Sequence, residues 1–171
     1  MCVVLDTNAF GPFFDENNKE RGEFEPVFQW VVRGKGKLVY GGRTYKDEMR
    51  AASRYIPMFA DLERAGKIVI LKDENVNELQ SKIRNIEPSD RFDDPHLVAI
   101  VLESKCRIVC TRDTRAIPYL KDSRFYTDGI KKPKLYISRR NTPLLQDKYI
   151  AQICKPSSKL PKNTADKLIG A

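Results

Sequence analysis

Four carboxylates stand where apolar stretches end or begin: Asp6 in VVLDTN, Glu48 in YKDEM, Asp94 in DDPHLVAIV and Asp113 in IVCTRDT. Each has an ordinary explanation taken singly. Asp and Asn make turns and caps, and an acid at the start of a helix is favoured by the dipole. Several converging would repel one another unless a cation sat between them. Oxygen donors without Cys or His select Mg2+ or Mn2+ over zinc. Such an ion lowers the pKa of a bound water and offsets charge building at phosphorus. Asn8 and Thr111 flank two of the acids as supporting polar groups. Arg43, Lys46 and Arg50 surround Glu48, and Arg112 and Arg115 bracket Asp113. These cations could hold neighbouring phosphates, although plain solvated surface is the commoner role of each. Glu48 is preferred to Asp47 because adjacent helical residues diverge by roughly 100° and Glu48 directly precedes Met49 on the core side. His96, the one histidine, is expected to cap or pack rather than act as a base.

The elements that must carry these groups alternate between strands and helices. CVVL (2–5) is a continuous apolar run of the kind found in a strand covered on both faces. Residues 11–22 are polar and acidic, a loop or a short frayed helix. FEPVFQWVVRG then repeats apolar residues at three and four, with Pro26 suited to a first turn and Gly34 as a stop. KLVYGG is a second strand, and Thr44 is a cap for a helix through YKDEMRAASR. Pro57 interrupts that pattern and starts another helix to about residue 65. KIVIL (67–71) is a third strand, and Asp73 caps a helix bearing Val76, Leu79, Ile83 and Ile86. HLVAIVLES is a strongly apolar helix, RIVCT (107–111) a fourth strand, TRAIPYL a short helix and KLYIS (134–138) a fifth strand. This order predicts βαβ units and a parallel sheet with helices on both faces. The carboxyl ends of such strands are where ligands bind.

Composition bounds the possibilities. A chain of 171 residues, 41% hydrophobic and 32% charged, is the size of one domain with its own core. Its 31 Lys and Arg against 23 Asp and Glu give +8 and favour a polyanionic partner such as nucleic acid. No apolar run nears the roughly 20 residues that span a bilayer, and MCVVLDTN lacks the basic start of a signal peptide. Four cysteines without a CxxC pair are expected as reduced core thiols in a cytoplasmic protein. From about Thr142 the pattern weakens, and with KPSSKLPKNTADK rich in Pro, Ser and Lys, residues 142–171 are expected as a flexible basic extension beyond a domain over 1–141.

The stretches VVLDTN (3–8), LVYGGRTYKDEM (38–49), DDPHLVAIVLES (93–104) and IVCTRDT (108–114) together resemble the PIN-domain ribonucleases. The likeness covers about residues 2–138. It implies an α/β fold, a three-layer α/β/α sandwich around a mainly parallel sheet of four or five strands. It also implies Mg2+- or Mn2+-dependent cleavage of RNA, with Asp6, Glu48, Asp94 and Asp113 as catalytic acids and metal ligands and Asn8 and Thr111 in support. Bacterial members are often toxins held by an antitoxin, so an antitoxin partner and a homodimer join the expectations. The insertion over 11–25 and the C-terminal extension have no counterpart in the family pattern.

Two other readings stay open. A non-catalytic RNA-binding or regulatory module could share the fold. Another Mg2+-dependent phosphohydrolase could share the acids, but an aspartyl-nucleophile enzyme wants a second carboxylate where Asn8 stands. No Gly-rich phosphate loop is present, which argues against nucleoside triphosphate hydrolysis.

Overall fold

Five short apolar strands form the spine: β1 (Cys2–Leu5), β2 (Lys37–Tyr40), β3 (Ile68–Ile70), β4 (Ile108–Cys110) and β5 (Lys134–Tyr136). In the computed structural model, which describes residues 2–127 and 129–169, they pair in the order β3-β2-β1-β4-β5. Every pairing is parallel. β1 lies at the centre, and CVVL is fully buried because both of its faces are covered. The chain runs outward from β1 to β3 and then returns to the other side of β1 as β4. That reversal makes the carboxyl ends of β1 and β4 the switch point, the place at which doubly wound sheets bind ligands.

Among the described residues, eight α-helices surround the sheet: α1 (Phe10–Phe14), α2 (Arg21–Val32), α3 (Arg43–Ala51), α4 (Ile56–Arg64), α5 (Asp73–Ile86), α6 (Pro95–Ser104), α7 (Ile117–Leu120) and α8 (Lys162–Ile169). α1 packs on α2, and α8 on α2 and α4; α5 packs on α6, which also meets β1 and β2. The architecture is the expected α/β/α sandwich. α6 is the most deeply set helix, with Leu97 through Val101 at 0% exposure. Burial of side chains like its Leu, Ile and two Val contributes roughly 1.5–3 kcal/mol each. A Phe10, Phe14, Tyr55 and Phe59 cluster fills the space between α1 and α4.

Several local expectations change. α2 begins at Arg21, so Pro26 lies inside the helix rather than in its first turn. Thr44 does not cap α3. Gly42 holds that position, and the Thr44 hydroxyl pairs instead with Gln80 Oε1 at 3.1 Å. Asp73 is the first residue of α5 rather than its cap, and its Oδ1 accepts from the Gly42 amide at 2.9 Å. In the polar stretch 11–22 the expected short helix and loop are both present, α1 ending at Phe14 and residues 15–20 forming the loop, and Glu23 beyond it binds the Arg139 amide through Oε2 at 2.9 Å.

Two larger expectations are overturned. Cys2 and Cys154 are joined by a disulfide across 152 positions, leaving Cys106 and Cys110 as free, buried thiols. All-reduced cysteines therefore fail, and with them the thiol argument for a reducing compartment. The extension beyond residue 141 does not trail away: Ala151, Cys154 and Ala165 belong to the hydrophobic core, and residues 170 and 171 lie outside the described residues. Composition conceals this because Lys and Pro punctuate the stretch, while apolar residues scattered through it, among them Leu144, Tyr149, Leu160 and Leu168, pack against the core beside those three. Among the described residues no helix is long and apolar enough to cross a membrane.

Candidate metal centre

The register of the sheet brings the first two acids to one place. Leu5 pairs with Cys110 across β1 and β4, so the next residues, Asp6 and Thr111, stand side by side at the strand ends. Thr111 Oγ1 donates to Asp6 Oδ2 at 2.6 Å and accepts from the Asp113 amide at 2.9 Å. Asn8 completes the clasp. Its Nδ2 donates to Asp6 Oδ2 at 2.8 Å, and its Oδ1 accepts from the Arg112 amide at 3.0 Å. Asn8 and Thr111 thus tie the Asp6 carboxylate to the backbone at Arg112 and Asp113.

Asp6 is 2% exposed. Burial raises its carboxyl above the ordinary range, the hydrogen bonds from Thr111 and Asn8 pull it down, and the charge of Asp113 pushes it up again. A bond to a charged group is worth about 1.5–3 kcal/mol, and here desolvation outweighs several of them.

Glu48 reaches the same place from α3. Thr7, in the turn after β1, donates from Oγ1 to Glu48 Oε2 at 2.8 Å. Burial raises the Glu48 carboxyl, Thr7 lowers it, and the charges of Asp6 and Asp93 raise it. Its neighbour Asp47 faces solvent and pairs with Arg50 one turn along, as the helical divergence between the two acids requires.

Asp94 precedes α6 with non-helical backbone angles of −106° and 40°, and its side chain makes no cap bond. Burial, then the charges of Asp6, Asp93, Glu48 and Asp113, push its carboxyl up to about 7. The four expected acids therefore act on one another. Two unit charges about 4 Å apart repel by about 4 kcal/mol at an effective dielectric near 20. A cation between them would remove that cost. Asp113 differs from the rest. Arg115 grips it with Nε and a terminal nitrogen at 3.0 and 2.7 Å, and the guanidinium holds its carboxyl below the ordinary range.

The flanking cations are mostly engaged. Lys46 Nζ lies 2.6 Å from Asp73 Oδ2, Arg50 binds Asp47, and Arg112 binds Glu20 of the insertion. Arg43, Lys46 and Arg50 line a cavity of about 340 Å3 together with Asp47, Asp73, Glu74 and Asn77, so the rim beside Glu48 is mixed in sign.

Two participants have no distinct signal in the sequence, and a third, His96, stands out there only as a capping or packing residue. Thr7 lies between two residues of more evident chemistry. Asp93 reads as an ordinary helix-start acid, yet its charge raises both Glu48 and Asp94. His96 packs as expected, but with both ring nitrogens buried and unpartnered. One donor atom each from Glu48, Asp94 and His96 fall within 4.8 Å of one another. Carboxylate oxygens, a raised Asp94 and an idle imidazole form a donor set that fits a divalent cation.

No family model matches this chain, and no curated protein or solved structure matches it.

Proposed function

We propose that the chain is a divalent-metal-dependent endoribonuclease that hydrolyses RNA phosphodiester bonds, with Mg2+ or Mn2+ held by Asp6, Glu48, Asp94 and Asp113. One observation carries the reading: four carboxylates from four separate segments converge at the switch point between β1 and β4, and three of them titrate above the ordinary range. The resemblance to PIN-domain ribonucleases and the charge of +8 supply the substrate class.

When bound, the ion supplies Lewis acidity, drawing phosphate oxygens in and making a nearby water acidic enough to attack phosphorus. The chain's own residues do the positioning. Thr111 and Asn8 orient the Asp6 carboxylate, and Thr7 orients that of Glu48. Asp94 must release its proton to bind a cation. Arg115 has to leave Asp113, and its guanidinium is then free to take a phosphate oxygen. Arg43 offers a further phosphate contact, while Lys46, Arg50 and Arg112 would exchange Asp73, Asp47 and Glu20 for RNA. A toxin role, an antitoxin partner, a homodimer and a cytoplasmic setting enter through the resemblance and belong to the same proposal.

The test is incubation of the purified protein with tRNA and mRNA in Mn2+, beside EDTA and the variants Asp6→Asn and Asp113→Asn. Cleavage is expected to fall at least about 100-fold in both variants and to stop in chelator. Undiminished cleavage in either would remove the proposal. A second reading draws on the Arg115 fork, which already neutralises Asp113 without metal: a non-catalytic RNA-binding module. It predicts RNA binding that persists in EDTA, with no cleavage under any metal.

A further inference from the structure

We propose that His96 is a nitrogen ligand of this cation site, binding through Nε2 beside Glu48 and Asp94, and that this donor makes the site select Mn2+ over Mg2+. The inference rests on the reading that the acidic cluster holds a cation.

His96 is fully buried, and neither ring nitrogen has a hydrogen-bond partner. A buried polar group left idle destabilises the fold, so such an imidazole calls for a partner. The nearest candidate is Glu48. Its Oε2 lies 3.6 Å from His96 Nε2, too far for a hydrogen bond. That gap does suit two ligands of one ion. Donors each about 2.0–2.2 Å from a metal stand roughly 3–4.3 Å apart, depending on the angle between them. The Asp94 carboxylate falls within the same 4.8 Å group, so three donors surround one point with small movements left to make.

The surroundings hold the ring for this role. Tyr45 meets the imidazole edge-on, its centroid 6.2 Å away, and donates its hydroxyl to the Leu5 carbonyl at 2.5 Å. Thr7 fixes the Glu48 oxygen that faces the ring. With neither ring nitrogen paired, the imidazole has a lone pair to offer a metal. A purely oxygen-lined site accepts Mg2+ readily. Imidazole binds Mn2+ and the later transition ions better, while Mg2+ keeps to oxygen.

The chain has a single histidine, which makes the test unambiguous. Untagged protein, labelled with 15N only at histidine, is loaded with Mn2+ and measured by pulsed electron paramagnetic resonance. A histidine nitrogen coupling that changes character between 14N and 15N samples is expected. In parallel, Mn2+ and Mg2+ affinities are taken by calorimetry for wild type and His96→Gln, whose amide oxygen reaches near the Nε2 position. The wild-type preference for Mn2+ is expected to shrink by about 10-fold or more in the variant. Mn2+ bound with no nitrogen coupling overturns the inference and leaves the acidic site standing. No Mn2+ binding at all overturns the metal-dependent reading itself. Should His96→Gln fail to fold, the spectrum of the wild type still decides.

Discussion

Asp94 carries most of the tension at the centre, because burial and four neighbouring acids act on it without a hydrogen bond to answer them among the described residues. Its carboxyl ordinarily titrates near 3.8 and here near 7. Between those values the folded chain takes up a proton that the unfolded chain does not. The protonated acid therefore favours folding most fully below about 4, and this contribution is lost as pH rises through 7. Metal-free Asp94→Asn should melt above the wild type at pH 8, with the two converging near pH 4. Identical curves at every pH would remove the strain assigned to Asp94. Protons also compete with the ion. The melting shift on adding Mn2+ to wild type should be clearly larger at pH 8 than at pH 6, read by thermal denaturation at matched ionic strength.

Among the elements, α3 starts from a constrained backbone position. Gly42 adopts φ of 85° and ψ of 153°, a region essentially reserved for glycine. A Cβ there would stand 2.6 Å from Val76 Cγ1 of α5. The close approach is useful: the Gly42 amide reaches Asp73, and Lys46 of α3 pairs with the same carboxylate. Gly42→Ala should cost about 2–3 kcal/mol from the backbone and clash together, roughly 4–12 °C in melting temperature for a domain of this size. Because α3 delivers Glu48, the Mn2+ shift should shrink as well. A variant that loses stability but keeps the full metal shift would separate α3 placement from the site. The insertion acts at this scale too, since Glu20 holds Arg112 at the rim and Glu23 binds the segment after β5.

For the molecule as a whole, the C-terminal segment closes the fold. The Cys2–Cys154 bond ties it to the start of the central strand, and α8 rests on α2 and α4. A crosslink spanning 152 positions removes much of the unfolded chain's freedom. Reduction, or the Cys2→Ser/Cys154→Ser pair, should lower unfolding free energy by about 2–5 kcal/mol. Urea unfolding with and without reductant measures it, and superimposable transitions would mean that the bond contributes nothing. Lys67 adds a second tie, donating from a buried ammonium to the carbonyls of Gly34 and Ser158 at 2.8 and 3.0 Å.

By itself the sequence determined the alternation of strands and helices, because the period of apolar residues tracks burial whatever the neighbours are. It also marked Asp6, Glu48, Asp94 and Asp113, since acids at the ends of buried runs stand out one at a time. Only the tertiary structure decided who meets whom. Val4 pairing with Val109, rather than any local signal, sets Asp6 beside Thr111. Likewise the packing of α3 brings Glu48 to Asp94 and His96 at the start of α6. The same holds for Cys154 reaching Cys2. Contacts of that kind depend on three-dimensional proximity between residues whose separation along the chain carries no information about it.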